Sequence, residues 1–403
     1  MSVLSRLSAY AGNPIEDTDE LAAKLKKDGR KIIKLNQGNP TAIFPTPKYI
    51  IDAYISALKE GKTGYSFHAG IPELRQAVAD RQNGLYGADF ELEDVIITQG
   101  VSESISFINS TFVDPGDRAV LLRPYYPTYL TFLKTIGGAP LFVDYSEKEG
   151  FKFNPDNLEK ALKNERKKPK FMIFSNPCNP TGTVMSRSEL KEVVDIMNDH
   201  GIFLISDEIY DEIVFNGAKF TSISEVAKGT KYAIIGGASK NFDATGFRIG
   251  YMIVPGKDKT SIEVNRKIRD YAKMRLSSNT TAQYAFAMAL ENRKEHEKAI
   301  HGMVSKIKDR VNRSYEVINE GRYMQVVRPN GAFYLLPKID MKNLRLNNDL
   351  DVVEKLLLEE GVQVSRGSGF GAPDHIRIVA LASEDILELA IRKIDKFFVK
   401  HSK

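Results

Sequence analysis

Four polar segments interrupt the apolar middle of the chain, and each carries a group able to do chemistry. They are Asn176-Pro177-Cys178-Asn179-Pro180-Thr181-Gly182, Asp207-Glu208-Ile209-Tyr210, Gly236-Gly237-Ala238-Ser239-Lys240 and Thr245-Gly246-Phe247-Arg248-Ile249-Gly250-Tyr251. A lysine amine such as Lys240 can bond covalently to a carbonyl compound. Taken alone it reads as a surface lysine, but here it stands among small residues just beyond an apolar run. Asp207 offers a carboxylate that favours a neighbouring cation. It also reads as a cap for the helical pattern it opens. Arg248 presents a two-pronged fork suited to an anion, with a structural ion pair as the alternative. Gly100-Val101-Ser102 opens a helical stretch after an apolar run, so its N–H groups can face an anion. Arg377 lies within the apolar run Ile376-Arg377-Ile378-Val379. A buried arginine must be paired, and an absent ligand is one candidate partner.

Other strings carry less. Gly61-Lys62-Thr63 resembles the end of a P-loop, but residue 56 is Ser56 rather than glycine and a helical pattern precedes it. Gly367-Ser368-Gly369-Phe370-Gly371 runs into Ala372-Pro373 and reads as a turn. His296 and His301 are one residue too far apart for a zinc-binding helix pair, and both read as solvated helix residues. Six scattered histidines give no basis for a metal site.

The elements that must position these groups alternate in kind. Short apolar runs at Val95–Thr98, Ala119–Leu122, Pro140–Val143, Phe171–Phe174, Phe203–Ser206 and Ala233–Ile235 read as buried strands. Helical periodicity lies between most of them, as over Ser102–Phe112 and Arg187–Asp199. That alternation predicts an α/β fold: a mostly parallel central sheet with helices on both faces. In such sheets ligands bind beyond the carboxyl ends of the strands, where all four polar segments fall. After Lys257 long helical patterns run to about Glu320. A second, smaller α+β domain then follows: Gly331–Leu336, a helix near Asp351–Glu360, the strand Ile376–Val379 and a last amphipathic helix.

Composition bounds the rest. At 403 residues the chain is long enough for two to three domains of roughly 150 residues each. It is 42% hydrophobic and 27% charged, which supports a large core and excludes global disorder. No apolar run approaches the roughly 18 residues of a membrane span, and the N-terminus has no apolar signal core. The single cysteine, Cys178, excludes an intrachain disulfide and suits a reducing, cytoplasmic setting. A net charge of +5 is spread along the chain. The run Arg166–Lys170 is broken by Pro169 and reads as a solvated loop, so no nucleic-acid partner is expected.

In their order and spacing, N-P-x-N-P-T-G, D-E-I-Y and S-K…T-G-F-R-I-G-Y resemble the fold-type I pyridoxal-phosphate aminotransferases of class I/II. The resemblance extends from Leu35-Asn36-Gln37-Gly38-Asn39-Pro40 to Arg377. It implies pyridoxal 5'-phosphate bound covalently at Lys240, with Asp207 beside the ring nitrogen and Asn179 and Tyr210 at the ring 3-oxygen. Gly100, Val101, Ser102 and Arg248 would cradle the phosphate. Where the family often has a phosphate-binding serine this chain has Gly237, and Ser239 is a possible substitute. Tyr126 matches the ring-stacking aromatic, with Tyr125 as its ambiguous neighbour, and Glu208 should point elsewhere. Tyr65 matches a tyrosine that reaches the neighbouring subunit of a homodimer; a packed loop tyrosine is the alternative. Arg377, with the backbone of Gly38 and with Asn179, would take the substrate α-carboxylate. Arg275 is a weaker candidate for a second carboxylate and reads first as a surface arginine at a helix end.

The resemblance predicts a large cofactor domain over 48–283 and a small domain built from 1–47 and 284–403. The expected activity is transfer of an amino group between an L-amino acid and 2-oxoglutarate by a ping-pong mechanism. A β-lyase on the same scaffold and a catalytically silent binding module are the alternatives. Pro124–Tyr129, Arg275–Thr280 and Gly367–Gly371 resemble the alanine-type branch, with aspartate as the competing donor.

Overall fold

The computed structural model describes residues 5–227 and 229–403. Along the chain come α1 (Asp19–Lys27), β1 (Ile33–Lys34), α2 (Lys48–Lys59), α3 (Pro72–Tyr86), β2 (Val95–Thr98), α4 (Gly100–Phe112), β3 (Arg118–Arg123) and α5 (Pro127–Thr135). Next are β4 (Ala139–Asp144), α6 (Pro155–Asn164), β5 (Phe171–Ser175), α7 (Arg187–Asp199), β6 (Phe203–Asp207), β7 (Tyr232–Gly237) and β8 (Gly250–Ile253). The helices α8 (Lys259–Met274), α9 (Thr280–Glu291) and α10 (Arg293–Glu320) follow. The last part holds β9 (Met324–Gln325), β10 (Tyr334–Leu335), β11 (Lys338–Ile339), α11 (Asp349–Glu360), β12 (Val362–Gln363), β13 (Ser365–Arg366), β14 (Ile376–Val379) and α12 (Glu384–Lys400).

Seven strands form the central sheet in the order β2-β8-β7-β6-β5-β3-β4. All neighbours are parallel except β8, which runs antiparallel to both β2 and β7. Alternate residues feed opposite faces, as the period of a strand requires. Ile97, Met172, Leu204 and Ile234 pack on one face of the sheet and Ile96, Ile173, Ile205 and Ile235 on the other, the two faces together making the first core. Helices cover both faces, so every position of β2, β5, β6 and β8 is buried and the strands read as unbroken apolar runs. Helix starts follow local chemistry: Ser186 and Glu189 form a reciprocal cap on α7, and Pro72 opens α3.

A second core gathers Ile300 to Ile318 of α10, Val352 to Leu356 of α11 and the buried face of α12 around β10 and β14. The N-terminal stretch joins it. There β1 pairs in parallel with β12, and Leu35 and Phe44 pack inside. The boundary expected at 283–284 falls inside α9, whose buried Phe286, Ala287 and Leu290 belong to the first core. Packing therefore changes over only after α9. Of the run Gly331–Leu336, only Tyr334–Leu335 is a strand. Among the described residues, no helix is long and apolar enough to cross a membrane.

Candidate active site

A cavity of about 330 Å³ opens between the two cores, at the carboxyl ends of the central strands. It brings together Gly38, Val101, Ser102, Tyr126, Asn179, Asp207, Tyr210, Ser239, Lys240, Arg248 and Arg377. These residues come from segments far apart in sequence, so their convergence is a product of the fold rather than of local order.

Strand β6 delivers Asp207 to the floor of the cavity. Its carboxyl accepts from Tyr129 Oη at 2.6 Å and from the Ile209 N–H at 3.2 Å. Burial pushes its pKa up to about 6, against the pull of those two donors. Glu208, the residue just past the end of β6, lies outside the cavity. It accepts from Ser206, Ser222 and the Ile223 N–H, each at 2.9 Å. Tyr210 lies on the second core and shares a 2.7 Å hydrogen bond with Tyr334.

Lys240 follows β7 in a turn and donates from Nζ to the backbone carbonyl of Gly38. Burial, then the nearby Arg377 and Arg248, push its pKa down to about 8. A lysine so placed is largely neutral at slightly alkaline pH and can act as a nucleophile or base.

Helix α4 begins at Gly100, whose φ of +71° is a conformation that favours glycine. A Cβ there would lie 2.6 Å from Arg248 Nη2. The missing side chain therefore lets the guanidinium sit against the start of the helix, and Gly100 stands behind Val101 and Ser102 rather than in the lining. Gly237 has no room for a serine. A Cβ at that position would lie 2.5 Å from Ile249 O and 2.8 Å from Gly250 Cα, across the β7–β8 pair.

Arg377 is 1% exposed on β14. Its Nη1 donates to Asn179 Oδ1 at 3.1 Å and its Nη2 to the carbonyl of Asn36. Its guanidinium lies 4.8 Å from the Tyr334 ring centre and 4.5 Å from that of Phe370. Nε has no partner. Among the described residues no carboxylate pairs with this buried cation, which leaves it available to an anionic ligand.

Several sequence expectations need correction or sharpening. Tyr126 lines the cavity, whereas Tyr125 is core and stacks on Phe142. Arg275 is not a surface arginine. It pairs with Glu103 at 2.9 Å and donates to Ile97 O at 2.6 Å, bracing the end of β2 against the start of α4. It does not line the cavity. His296 is not solvated; it is buried and bonded to Glu212 at 2.9 Å. Tyr65 is 86% exposed and outside the cavity. Sequence reading missed Tyr129 and Tyr334, together with a rim of Asn13, Ile15 and Glu16 from the N-terminal stretch. Tyr129 had a signal: it lies in the first turn of α5, three residues past the capping Tyr126, and the two rings meet edge to face at 5.5 Å.

The profile of the family described as "Aminotransferase class I and II" matches residues 30–394. An aspartate aminotransferase of Geobacillus stearothermophilus is 33% identical over 98% of this chain and 99% of its own. An alanine aminotransferase of Mycobacterium bovis is 32% identical over 94% of this chain and 88% of its own. The solved alanine aminotransferase of Pyrococcus furiosus superposes with a TM-score of 0.92 at 33% identity, covering 99% of this chain and all of that one. With the fold, the cavity and these relatives in agreement, the chain belongs to the class I and II aminotransferases and is an aminotransferase.

Proposed function

We propose that the cavity takes pyridoxal 5'-phosphate and that the enzyme moves amino groups between an L-amino acid and 2-oxoglutarate. Alanine is the first-ranked donor and aspartate its competitor. One observation carries the cofactor reading: Lys240, Asp207 and Arg248 converge on a single cavity. The donor set fits the group. A lysine lowered to about 8 suits a carbonyl, a buried carboxylate suits a pyridinium, and an arginine at a helix start suits a phosphate.

When bound, the cofactor supplies an electron sink for negative charge that develops at the substrate Cα. The chain's own residues do the rest. Lys240 Nζ would hold the cofactor covalently, and its amine is the group placed to carry a proton on and off the substrate carbon. Asp207 favours the protonated ring nitrogen, and Tyr129 and the Ile209 N–H hold its carboxyl in place. Asn179 and Tyr210 would serve the ring oxygen, and Tyr126 would supply an aromatic face for the ring. Val101, Ser102, Ser239 and Arg248 would hold the phosphate, with Gly100 leaving room for the arginine at the start of α4. Arg377 holds the α-carboxylate with Asn179 and the backbone of Gly38.

The lining supports the substrate ranking. Its cations are Lys240, Arg248 and Arg377, each with a role already, and Arg275 is spent on Glu103. A second carboxylate would find the amides of Asn13, Gln37 and Asn39 rather than a dedicated cation. A small donor such as alanine leaves no second charge to satisfy, and 2-oxoglutarate would rely on those amides. The exposed Tyr65 is consistent with a homodimer in which it serves the partner's site. The free, buried Cys178 is consistent with a cytoplasmic enzyme. The two cores support a large domain ending near Asn292 and a small domain built from both chain ends. A panel of amino donors with 2-oxoglutarate as acceptor tests the reading. Transfer from alanine at the highest kcat/KM supports it, and aspartate well ahead of alanine overturns the ranking.

A further inference from the structure

Behind Lys240, on the side away from the cavity, lies a chain of buried polar groups with no part in the chemistry above. Arg81 of α3 donates from Nη1 to Asp211 at 2.8 Å and from Nη2 to Glu212 at 2.5 Å. Glu212 accepts from Nε2 of His296, with its two oxygens at 2.9 and 3.0 Å. At the other end Asp211 accepts from the side-chain amide of Asn241, the residue after Lys240, and from Tyr86 at 2.8 Å. The chain then closes on itself. The His296 ring stacks on Phe242, 4.0 Å between centres and 16° between planes.

Asn241 and Phe242, the two residues that follow Lys240, are therefore gripped by opposite ends of one network. The turn they belong to lies between β7 and the helical turn Thr245–Phe247 and has no regular ladder of its own. The network also reaches α10, whose N-terminal turn carries His296 and whose later turns enter the second core. Every member is mostly or fully buried, so loss of one leaves a charge or amide without its partner in a low-dielectric setting.

We propose that this closed network is a positioning device for the lysine: Asn241 and His296 fix the Lys240 turn and so hold its amine between Arg377, Arg248 and Gly38. The proposal rests on the reading of Lys240 as the cofactor-binding lysine. Neither residue lines the cavity, so both act through the turn and not on substrate. If the turn loosens, the amine leaves its buried setting and the two arginines for water, which outweighs the lost pull of Asp207 and Asp243, and its pKa climbs toward the ordinary lysine value.

The experiment compares wild type with Asn241→Ala, His296→Leu, His296→Gln and, as a control, His301→Leu at an exposed site on the same helix. The first readout needs no turnover: competitive acylation of Lys240 in cofactor-free protein across a pH series, quantified by peptide mass spectrometry. The second is kcat and KM for the amino donor. Asn241→Ala and His296→Leu should move the Lys240 acylation midpoint upward and lower kcat by roughly 10-fold or more, with KM changed far less. His296→Gln keeps a donor for Glu212 and should recover part of both effects. His301→Leu should match wild type. A folded Asn241→Ala protein with the wild-type acylation midpoint and kcat overturns the proposal, even if His296→Leu fails to fold. The underlying reading fails separately, if borohydride fixes no pyridoxal phosphate to Lys240 in the wild-type protein.

Discussion

Replacing Arg377 by lysine tests the carboxylate site with little change in charge. The guanidinium carries five N–H groups. Its contacts to Asn179, Asn36 and, at 3.5 Å, Ser365 leave Nε–H and further capacity unspent. The rings of Tyr334 and Phe370 fix its plane from two sides. A carboxylate held by two charge-assisted hydrogen bonds gains about 3–6 kcal/mol, at about 1.5–3 kcal/mol each. Lysine keeps the charge but has neither the fork nor the stacking plane, so at most one of those bonds survives. The expected loss is then about 1.5–3 kcal/mol, or about 10- to 150-fold in kcat/KM. Arg377→Ala removes both bonds and should cost about 10²- to 10⁴-fold.

The assay is kcat/KM for alanine, glutamate and 2-oxoglutarate in the three proteins. Ethylamine, which is alanine without its carboxylate, serves as the internal control. Both variants should lose amino acids and oxo acid alike. The much slower reaction of ethylamine should hardly change, so the preference for alanine over ethylamine collapses. Arg377→Lys within about twofold of wild type on every substrate would refute the reasoning. An equal loss on ethylamine would also refute it, because a general disturbance of the site needs no carboxylate.

Three further outcomes follow from the same geometry. Lys240 is held down to about 8, so the fraction of neutral amine grows as pH rises through that value. Acylation of Lys240 in cofactor-free protein should level off above about 8 while surface lysines keep climbing past about 10, and a Lys240 profile that climbs with them contradicts the assignment. Tyr129→Phe removes the 2.6 Å donor to Asp207, which should raise a pKa already near 6 by about 1–2 units. A carboxyl is ionised above its pKa, so cofactor affinity should suffer more at pH 6.5 than at pH 9 (about one unit on either side of the raised value); an equal loss by equilibrium dialysis at both would rule this out. Gly237→Ser forces a Cβ to 2.5 Å from Ile249 O, so β7 and β8 must part and the apoenzyme should lose about 1–3 kcal/mol of stability. A serine variant with unchanged Tm and tighter cofactor binding would show that the strands can make room.

The cofactor-side groups were legible because their chemistry is carried by residue type and local order. A lysine beyond a buried strand, a carboxylate closing another and an arginine within an apolar run are anomalies in a string of apolar residues, visible without knowing what they touch. The strands were legible because helices cover both faces and leave no polar alternation to confuse them. Strand β8 was hidden. It begins at Gly250, inside a segment read for its arginine, and its antiparallel pairing with β2 and β7 depends on partners that periodicity does not name. Arg275 and His296 were misread for the same physical reason. Each is a polar residue near a helix end, the usual place for a solvated side chain. Their burial depends on Glu103, 172 residues away, and Glu212, 84 residues away. Burying such a residue alone would cost more than folding can tolerate; burying it with its partner is stable. The pairing that decides between those outcomes is a property of two distant segments together. The residues that touch the chemistry therefore announce themselves by type, whereas those that hold them in place become visible only when the chain has closed around them.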